Sequence, residues 1–515
     1  MTSPVEKGTA RRTRLPARLK AKLAGWQPAL DGWAKALATR LPWVVLGFFA
    51  VQVLIRLIMS GNLEVDEAQF VGATGFRLGF GNSHPPLYNW LITLVYIATG
   101  GSWVASVSLV KNLFLAGTFI VAWDLLRRLK ANPMAGLMAA AGLALLPQVI
   151  WQGQVTLAHS VAAGFATLAT LHAAWLWLMR RSARTAVWLG VAVAVGVLSK
   201  YNYLLFLGAF VLAAATLPDI RMRLDRRTGW LAAAVALVLV APHAVWAVTH
   251  LDVTVERMNK LYSERNPVVG FDLPVVGVDG LVSLGLALLA WGAPLALVWA
   301  ALARWTKPLM VIPDTETWDF SRAFAALCGR AALIGLVALA VIVFAGDMHK
   351  VHERYLTPLL LPGVVWLALR FPLEDRPAGR GILAALASVL FVASMIAIPA
   401  VVAFGPSRLA YPYADIADDL AETDVVPTDI LANRQDLAAN VALLMPDGRI
   451  WSGPSDRRVI VLWRRGELPP PFLVDRLGEG YAADGTVRTL THAYRNWSGK
   501  RDTLHSQVFV RKPQP

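Results

Sequence analysis

Apolar residues run in long blocks along most of this chain. A helix needs roughly 17–25 predominantly apolar residues to cross a bilayer. Blocks near that length fall at 42–60, 104–126, 134–150, 157–179, 185–199, 201–217, 228–249, 280–302, 324–345, 355–370 and 379–404. The pattern predicts a mostly α fold, a polytopic membrane helix bundle of about eleven spans. The polar segments between the blocks alternate in charge. RRLK (127–130), RRSAR (180–184), RMRLDRR (221–227), RWTK (304–307) and RFPLEDRPAGR (370–380) form a basic set. The alternate set, 61–103, 150–157, 199–201, 250–279 and 346–354, is poorer in Lys and Arg. The positive-inside rule assigns the basic set to the cytoplasm. An odd number of spans then places residues 405–515 on the opposite side.

The pattern changes after residue 404. DIADDLAET and RQDLAANVALLM have helical periodicity, whereas DILAN, VIVLW and QVFVR read as strands. PPP at 469–471 marks a loop. These signals predict a small α/β domain over 405–515, beyond a transmembrane domain over 42–404. Residues 1–41 are basic (RRTRLPARLKAKL) and lack a short apolar stretch with a small-residue cleavage site. They are expected to form an uncleaved cytoplasmic or interfacial segment. Beside so many spans, this segment is a weaker signal for nucleic acid than for a membrane surface, and no nucleic-acid partner is expected.

Composition agrees. The 515 residues are 56% hydrophobic and 16% charged, with mean hydropathy +0.51. This is too apolar for an ordinary soluble chain. The 20 Trp suit membrane–water interfaces. Cys328 is the single cysteine and lies in an apolar block, which excludes an internal disulfide framework and a cysteine metal site. No G-x-x-x-x-G-K-[ST] or G-x-G-x-x-G element occurs, so nothing points to nucleotide use. The chain has no internal repeat, which weakens an inverted-repeat transporter reading.

The unusual polar clusters all fall on the weakly basic side. GNLEVDEAQF (61–70) places Asp66 and Glu67 just beyond the first span. The segment 65–79 is expected to form a short helix from near Asp66 to Gly79 or Gly81. Asp66 suits a cap and Glu67 a first helical turn. Adjacent helical residues point about 100° apart, so the two carboxylates face different ways. SHPPLYNWLITLVYIA (83–98) predicts a second interfacial helix after the Pro pair, with Leu87, Trp90, Leu91 and Leu94 on one stripe. LSKYNY (198–203) puts Lys200 and Tyr201 between two spans; alone, Lys200 reads as a snorkelling anchor. GDMHKVHERYLTP (346–358) brings Arg354 and Tyr355 near membrane depth, where ionisable groups are costly and usually functional. WQGQVTLAH (151–159) puts His159 at the mouth of a span, a position that suits packing. VERMNKLYSERNP (255–267) reads as a solvated mixed-charge helix. His84, His349 and His352 with Glu67 are a candidate set for a divalent metal ion, since imidazole and carboxylate suit zinc, although their spacing is not diagnostic.

The Asp-Glu pair in the first external loop, His-Pro-Pro-Leu-Tyr-x-x-Leu at 84–91, Ser-Lys-Tyr at 199–201 and Arg-Tyr-Leu-x-Pro at 354–358 resemble the multi-spanning C-type glycosyltransferases. The group concerned contains the dolichyl-phosphate-mannose–protein mannosyltransferases and the bacterial aminoarabinose and galacturonic acid transferases of lipid A. The resemblance spans roughly 42–404. It implies transfer of a sugar from a polyprenyl-phosphate donor to a lipid or glycan acceptor, with inversion, on the periplasmic side of a bacterial inner membrane. Lipid A or lipopolysaccharide core is the acceptor that it suggests. By resemblance, Asp66 matches the catalytic Asp, and Glu67 the neighbouring acidic position that orients acceptor or metal. Lys200 and Arg354, with Tyr201 or Tyr355 as hydroxyl donors, then suit the carrier phosphate. His84 is a further substrate-binding candidate. The chain departs from many relatives at His159, where they carry an acid, and from the aminoarabinose transferases at His84-Pro85-Pro86, where they carry Glu-Lys-Pro. Both departures bear on which sugar and acceptor are used. A lipid or sugar transporter would need polar residues deep in several spans. A non-catalytic assembly protein would use its tail to hold envelope partners.

Overall fold

The computed structural model describes residues 17–80, 84–253, 277–308, 315–422 and 427–512. The mixed-charge segment 255–267 and Gly81 lie outside the described residues.

Each of the eleven apolar blocks is helical. Among the described residues, seven helices are long and apolar enough to cross a membrane: Gly25–Met59, Trp103–Leu129, His159–Arg180, Arg226–Thr249, Val278–Trp305, Phe320–Ala345 and Pro377–Phe404. An eighth crossing is obtained if Pro133–Ala144 and Pro147–Val155, bent by 82°, count as one. The chain bends at Pro147, which cannot donate to the preceding turn. The other three blocks are shorter helices, Ala183–Ser199, Tyr203–Thr216 and Thr357–Arg370. A 14-residue helix is about 21 Å long, short of a hydrocarbon core of about 30 Å.

The first helix, α1 (Ala17–Met59), runs without a break from the basic segment into the first span, through Pro28 and Pro42. It packs on α4 (Trp103–Leu129) and on the Pro377–Phe404 helix. Its lipid-facing side carries Leu54 and Ile58, and its inner side carries Phe49, Gln52 and Arg56. Helices α8 (His159–Arg180), α9 (Ala183–Ser199) and α12 (Arg226–Thr249) pack in sequence beside α4. Small residues let them approach closely: a Cβ on Gly190 of α9 would lie 2.5 Å from the Ala232 carbonyl of α12.

Helix α2 is only Val65–Ala68, and it ends far short of Gly79. The chain leaves it through Gly72 (φ +80°) and Gly75 (φ +114°), left-handed conformations that suit glycine and do not continue a helix. Helix α3 (Leu87–Ala98) starts after the Pro pair, with Pro86 as its N-cap. Its buried side chains are Tyr88, Asn89, Ile92 and Thr93, while Leu94 is exposed. Of the expected apolar stripe, Leu87, Trp90 and Leu91 are thus only half-buried and Leu94 is exposed, while the polar-bearing face turns inward. Lipid offers apolar side chains no reason to hide, whereas polar groups need protein partners.

Residues 405–512 carry a five-stranded sheet of order β2-β1-β3-β5-β4. Its strands are β1 (Thr428–Ala432), β2 (Arg449–Ile450), β3 (Arg458–Trp463), β4 (Tyr481–Ala493) and β5 (Arg501–Arg511). β1 pairs parallel with β2 and β3, and β5 pairs antiparallel with β3 and β4. Alternate residues fill two cores, as a two-residue period demands. Ile430, Ile460, Leu462 and Leu504 meet the helices Tyr413–Ala421 and Gln435–Leu444. Leu431, Val459, Val461 and Phe509 meet the Pro471–Leu477 helix on the other face. The PPP stretch thus differs from the expected loop, because Pro471 opens that helix. A proline's missing N–H costs nothing at a first helical position.

Candidate functional site

Two cations reach Glu67 from inside the bundle. Arg56 Nη2 donates to its Oε2 at 2.8 Å, and Lys111 Nζ to its Oε1 at 3.0 Å. The Glu64 backbone N–H donates to Oε2 at 3.1 Å. Glu67 is 2% exposed, and burial alone pushes its pKa up. Arg56 and Lys111 outweigh that penalty and hold it at about 2. Arg56 also ties the loop backbone, with Nη1 on the Ser60 carbonyl at 2.7 Å and Nη2 on the Asn62 carbonyl at 2.6 Å. The Lys111 ammonium also donates to the Gln154 carbonyl at 3.1 Å. Arg56 and Lys111 sit inside apolar blocks and carry no motif. Their signal in the sequence is that a charge within a span is costly and needs a partner.

Asp66 lies one residue before Glu67 on α2 and is half-buried. Gln69 Nε2 donates to its backbone carbonyl at 2.7 Å. Beyond it lies Tyr88, fully buried. Its hydroxyl pKa is pushed above its ordinary value by burial, then by the nearby Glu67 and Asp66 carboxylates. The Tyr88 ring packs on Phe70 (centroids 5.2 Å apart) and on His159 (5.2 Å). His84 stacks on His159 at 4.2 Å. The buried His159 thus joins the loop between α1 and α4 to α8.

The next residue, Ser160, accepts a hydrogen bond from Lys200 Nζ at 2.5 Å. Lys200 is 8% exposed and ends α9 in extended conformation. Its ammonium lies 5.2 Å from the centre of the Tyr355 ring. The Arg354 guanidinium lies 5.6 Å from that same ring. Asn202 Nδ2 donates to the Tyr355 carbonyl at 3.0 Å and locks the two segments together. Lys200, Arg354 and Tyr355, about 155 residues apart in the sequence, therefore form one group.

Tyr201 is turned elsewhere. Its hydroxyl meets His243 Nε2 at 3.1 Å, and His243 Nδ1 meets the Leu78 carbonyl at 2.7 Å. At Gly79 the loop passes so close to Trp246 that a Cβ would sit 2.1 Å from its ring. His243 and Trp246 of α12 thus hold the segment around Leu78 and Gly79 of the loop between α1 and α4. Sequence reasoning missed His243, a lone His after a Pro inside an apolar block.

Among the described residues, no three His, Cys, Asp or Glu side chains converge to hold a metal ion. The candidate set of His84, His349, His352 and Glu67 does not form such a group. Glu67 is enclosed by cations, His84 stacks on His159, and His352 meets Tyr355 edge-on at 5.5 Å.

A half-buried carboxylate, a ring-bridged pair of cations and a buried ion cluster now stand at one end of a membrane bundle. Comparison with known proteins gives this arrangement a class. Residues 83–246 match the family of dolichyl-phosphate-mannose-protein mannosyltransferases. The lipopolysaccharide core galacturonosyltransferase RgtA of Rhizobium johnstonii is 27% identical, over 78% of this chain and 80% of that protein. RgtB of the same organism, with the same description, is also 27% identical, over 79% and 82%. The crystal structure of ArnT from Cupriavidus metallidurans in the apo state aligns over 91% of this chain and 98% of its own. The TM-score is 0.52 at 13% identity, a likeness of fold. The chain is a multi-pass membrane glycosyltransferase. Its similarities lie with the C-type glycosyltransferases, in the group that joins the protein mannosyltransferases to the sugar transferases of lipid A and lipopolysaccharide core.

Proposed function

We propose that this enzyme moves a sugar from a polyprenyl-phosphate carrier to an envelope glycolipid of the lipid A or lipopolysaccharide core class, with inversion at the anomeric carbon. The reaction takes place at the periplasmic face of the inner membrane, where the weakly basic loops and the sheet domain lie. One observation carries this reading. Asp66 acts electrostatically on Tyr88, Tyr88 packs on His159, and the next residue, Ser160, holds Lys200, which shares the Tyr355 ring with Arg354. A candidate base and two cations are thus linked through the residues that pack between them.

The chemistry follows from their charges. The acceptor hydroxyl oxygen bonds to the anomeric carbon as the carbon–oxygen bond to the carrier phosphate breaks. Asp66 takes the hydroxyl proton. An acceptor phosphate, already ionised, needs no such base. The carrier phosphate leaves with a second negative charge. Lys200 and Arg354 bind that developing charge more strongly than the starting diester, which lowers the barrier. Both cations lie within about 6 Å of the centre of the Tyr355 ring, whose face attracts each of them. The Tyr355 hydroxyl is a donor for the same phosphate, and His84 lies beside the acceptor path. Galacturonosyl transfer by the Rhizobium relatives supports a uronic acid as the sugar and lipopolysaccharide as the acceptor.

The reading is tested by mass spectrometry of envelope lipids from cells that hold wild-type protein, Asp66→Asn or none. A sugar-sized mass increment present only with wild type is expected. Equal transfer by Asp66→Asn at equal membrane abundance would remove Asp66 as the base.

A further inference from the structure

Residues 60–64 connect α1 to α2 without regular secondary structure, and Leu63 within them is fully buried. A buried backbone N–H and C=O must each find a partner. The partner of both at Leu63 is one side chain, Asn440, 377 residues later on the Gln435–Leu444 helix. Its Oδ1 accepts from the Leu63 N–H at 2.8 Å, and its Nδ2 donates to the Leu63 carbonyl at 3.0 Å. Among side chains only a carboxamide offers a neutral acceptor and donor side by side. The second Nδ2 hydrogen goes to the Asp436 carbonyl at 2.8 Å, and Asn440 itself is 3% exposed.

The neighbouring residues repeat the theme. Ser60 Oγ donates to the Leu409 carbonyl at 2.6 Å. Asn62 Nδ2 donates to the carbonyls of Leu409 and Tyr411, both at 3.0 Å. Arg408 Nη1 lies 3.6 Å from Glu64 Oε2. All these partners belong to the segment after the last membrane helix. On the other side of Asp66, Glu67 is fixed by Arg56 and Lys111. Asp66 therefore stands three residues after one anchor and one residue before another.

We infer that the C-terminal sheet domain is a positioning element for the catalytic loop, and that Asn440 is the residue through which it sets Asp66. Asn440 touches no reacting atom. It acts by fixing the Leu63 backbone and hence the start of α2. A base displaced by an ångström loses rate although both substrates still bind. The inference rests on the proposed role of Asp66.

The fold supplies a matched control. Asn496 Nδ2, in the same domain, donates to the Val402 and Gly405 carbonyls, both at 2.7 Å. It ties the domain to the end of the Pro377–Phe404 helix and does not touch the loop. The experiment measures transfer kinetics and thermal unfolding of the full-length protein with Asn440→Ala, Asn62→Ala and Asn496→Ala. Assays use a polyprenyl-phosphate galacturonate donor and lipopolysaccharide acceptor. Asn440→Ala and Asn62→Ala are expected to lower kcat about tenfold with both KM values unchanged, and Asn496→Ala to lower the melting temperature with kcat kept. Wild-type kcat in Asn440→Ala would overturn the inference. So would a loss of kcat in all three that tracks their melting temperatures. Asp66→Asn is assayed in parallel. Full activity there, with kcat still lost in Asn440→Ala, would overturn the base assignment and leave a positioning role for some other loop residue.

Discussion

Arg56 and Glu67 form a buried ion pair at 2.8 Å between the last turns of the first membrane helix and the short helix that carries the candidate base. Lys111 completes it at 3.0 Å from the second carboxylate oxygen. Glu67 is therefore a brace for Asp66, held by two cations that it neutralises in turn. Removing it would leave both cations buried beside one another. Glu67→Ala is expected to cost roughly 3–5 kcal/mol, the usual penalty for breaking a buried pair from one side. Thermal unfolding in detergent and membrane abundance would measure it. Glu67→Gln should be milder, since the amide still accepts one hydrogen bond.

The same brace predicts an acid response. Folded, Glu67 titrates at about 2, below its ordinary 4.5. A depressed carboxylate contributes stability that is fully present above its unfolded pKa and is lost as pH falls through its folded pKa. Between pH 7 and about 4.5 this group should not change the melting temperature. Below that, wild type should lose stability progressively towards pH 2. In Glu67→Gln that component should be missing, so the two melting curves should converge as the medium is acidified. Parallel curves throughout would contradict the assignment.

Lys200 and Arg354 share the Tyr355 ring, and this sets how their substitutions combine. Lys200→Met and Arg354→Met should each lower kcat/KM by ~10- to 100-fold, the worth of one charge-assisted contact to phosphate. The double variant should fall short of the product of the two, because residues in contact are coupled. Tyr355→Phe keeps the ring and removes the hydroxyl, whereas Tyr355→Leu removes both. If the ring gathers the cations, Tyr355→Leu should be worse by about 0.5–2 kcal/mol. Transfer assays across the donor concentration range would show which holds.

His243 links Tyr201 to the Leu78 carbonyl, so the two side chains act in series. Tyr201→Phe should cost about 1 kcal/mol of stability, one buried hydrogen bond. His243→Ala should cost more, because it also frees the loop near Gly79. Together they should cost little beyond His243→Ala alone. A strictly additive double variant in unfolding experiments would show that they act separately.

Much of the architecture was legible in the apolar blocks alone. Every block is helical; three form helices of 14–17 residues that fall short of a crossing by length, and the block at 134–150 is broken by a bend of 82°. The strands at DILAN, VIVLW and QVFVR were legible because apolar residues are continuous or alternate there. β4 was not, because it pairs only with β5, most of its residues are not buried, and its register breaks between Asp484 and Arg488. The candidate site was legible where a polar residue stands at the end of an apolar block, as at Asp66, Lys200 and Arg354. Arg56, Lys111 and His243 lie within blocks, where a window average hides them. Asn440 was not legible at all, since an asparagine on an amphipathic helix reads as surface.

The transfer of a side chain between water and lipid is a property of that side chain. It adds up along any stretch, so the sequence by itself determined the helices and the class of membrane protein. An ion pair or a hydrogen bond depends on where two distant segments cross. Lys111 lies 44 residues from Glu67, and Asn440 lies 377 from Leu63. Only the tertiary structure decided that Glu67 would be buried between cations while Asp66, one residue earlier, was left half-buried beside Tyr88. The reason is geometric. On a short helix, neighbouring side chains point about 100° apart, and the packing of α1, α4 and the sheet domain turned one inward and left the other partly exposed.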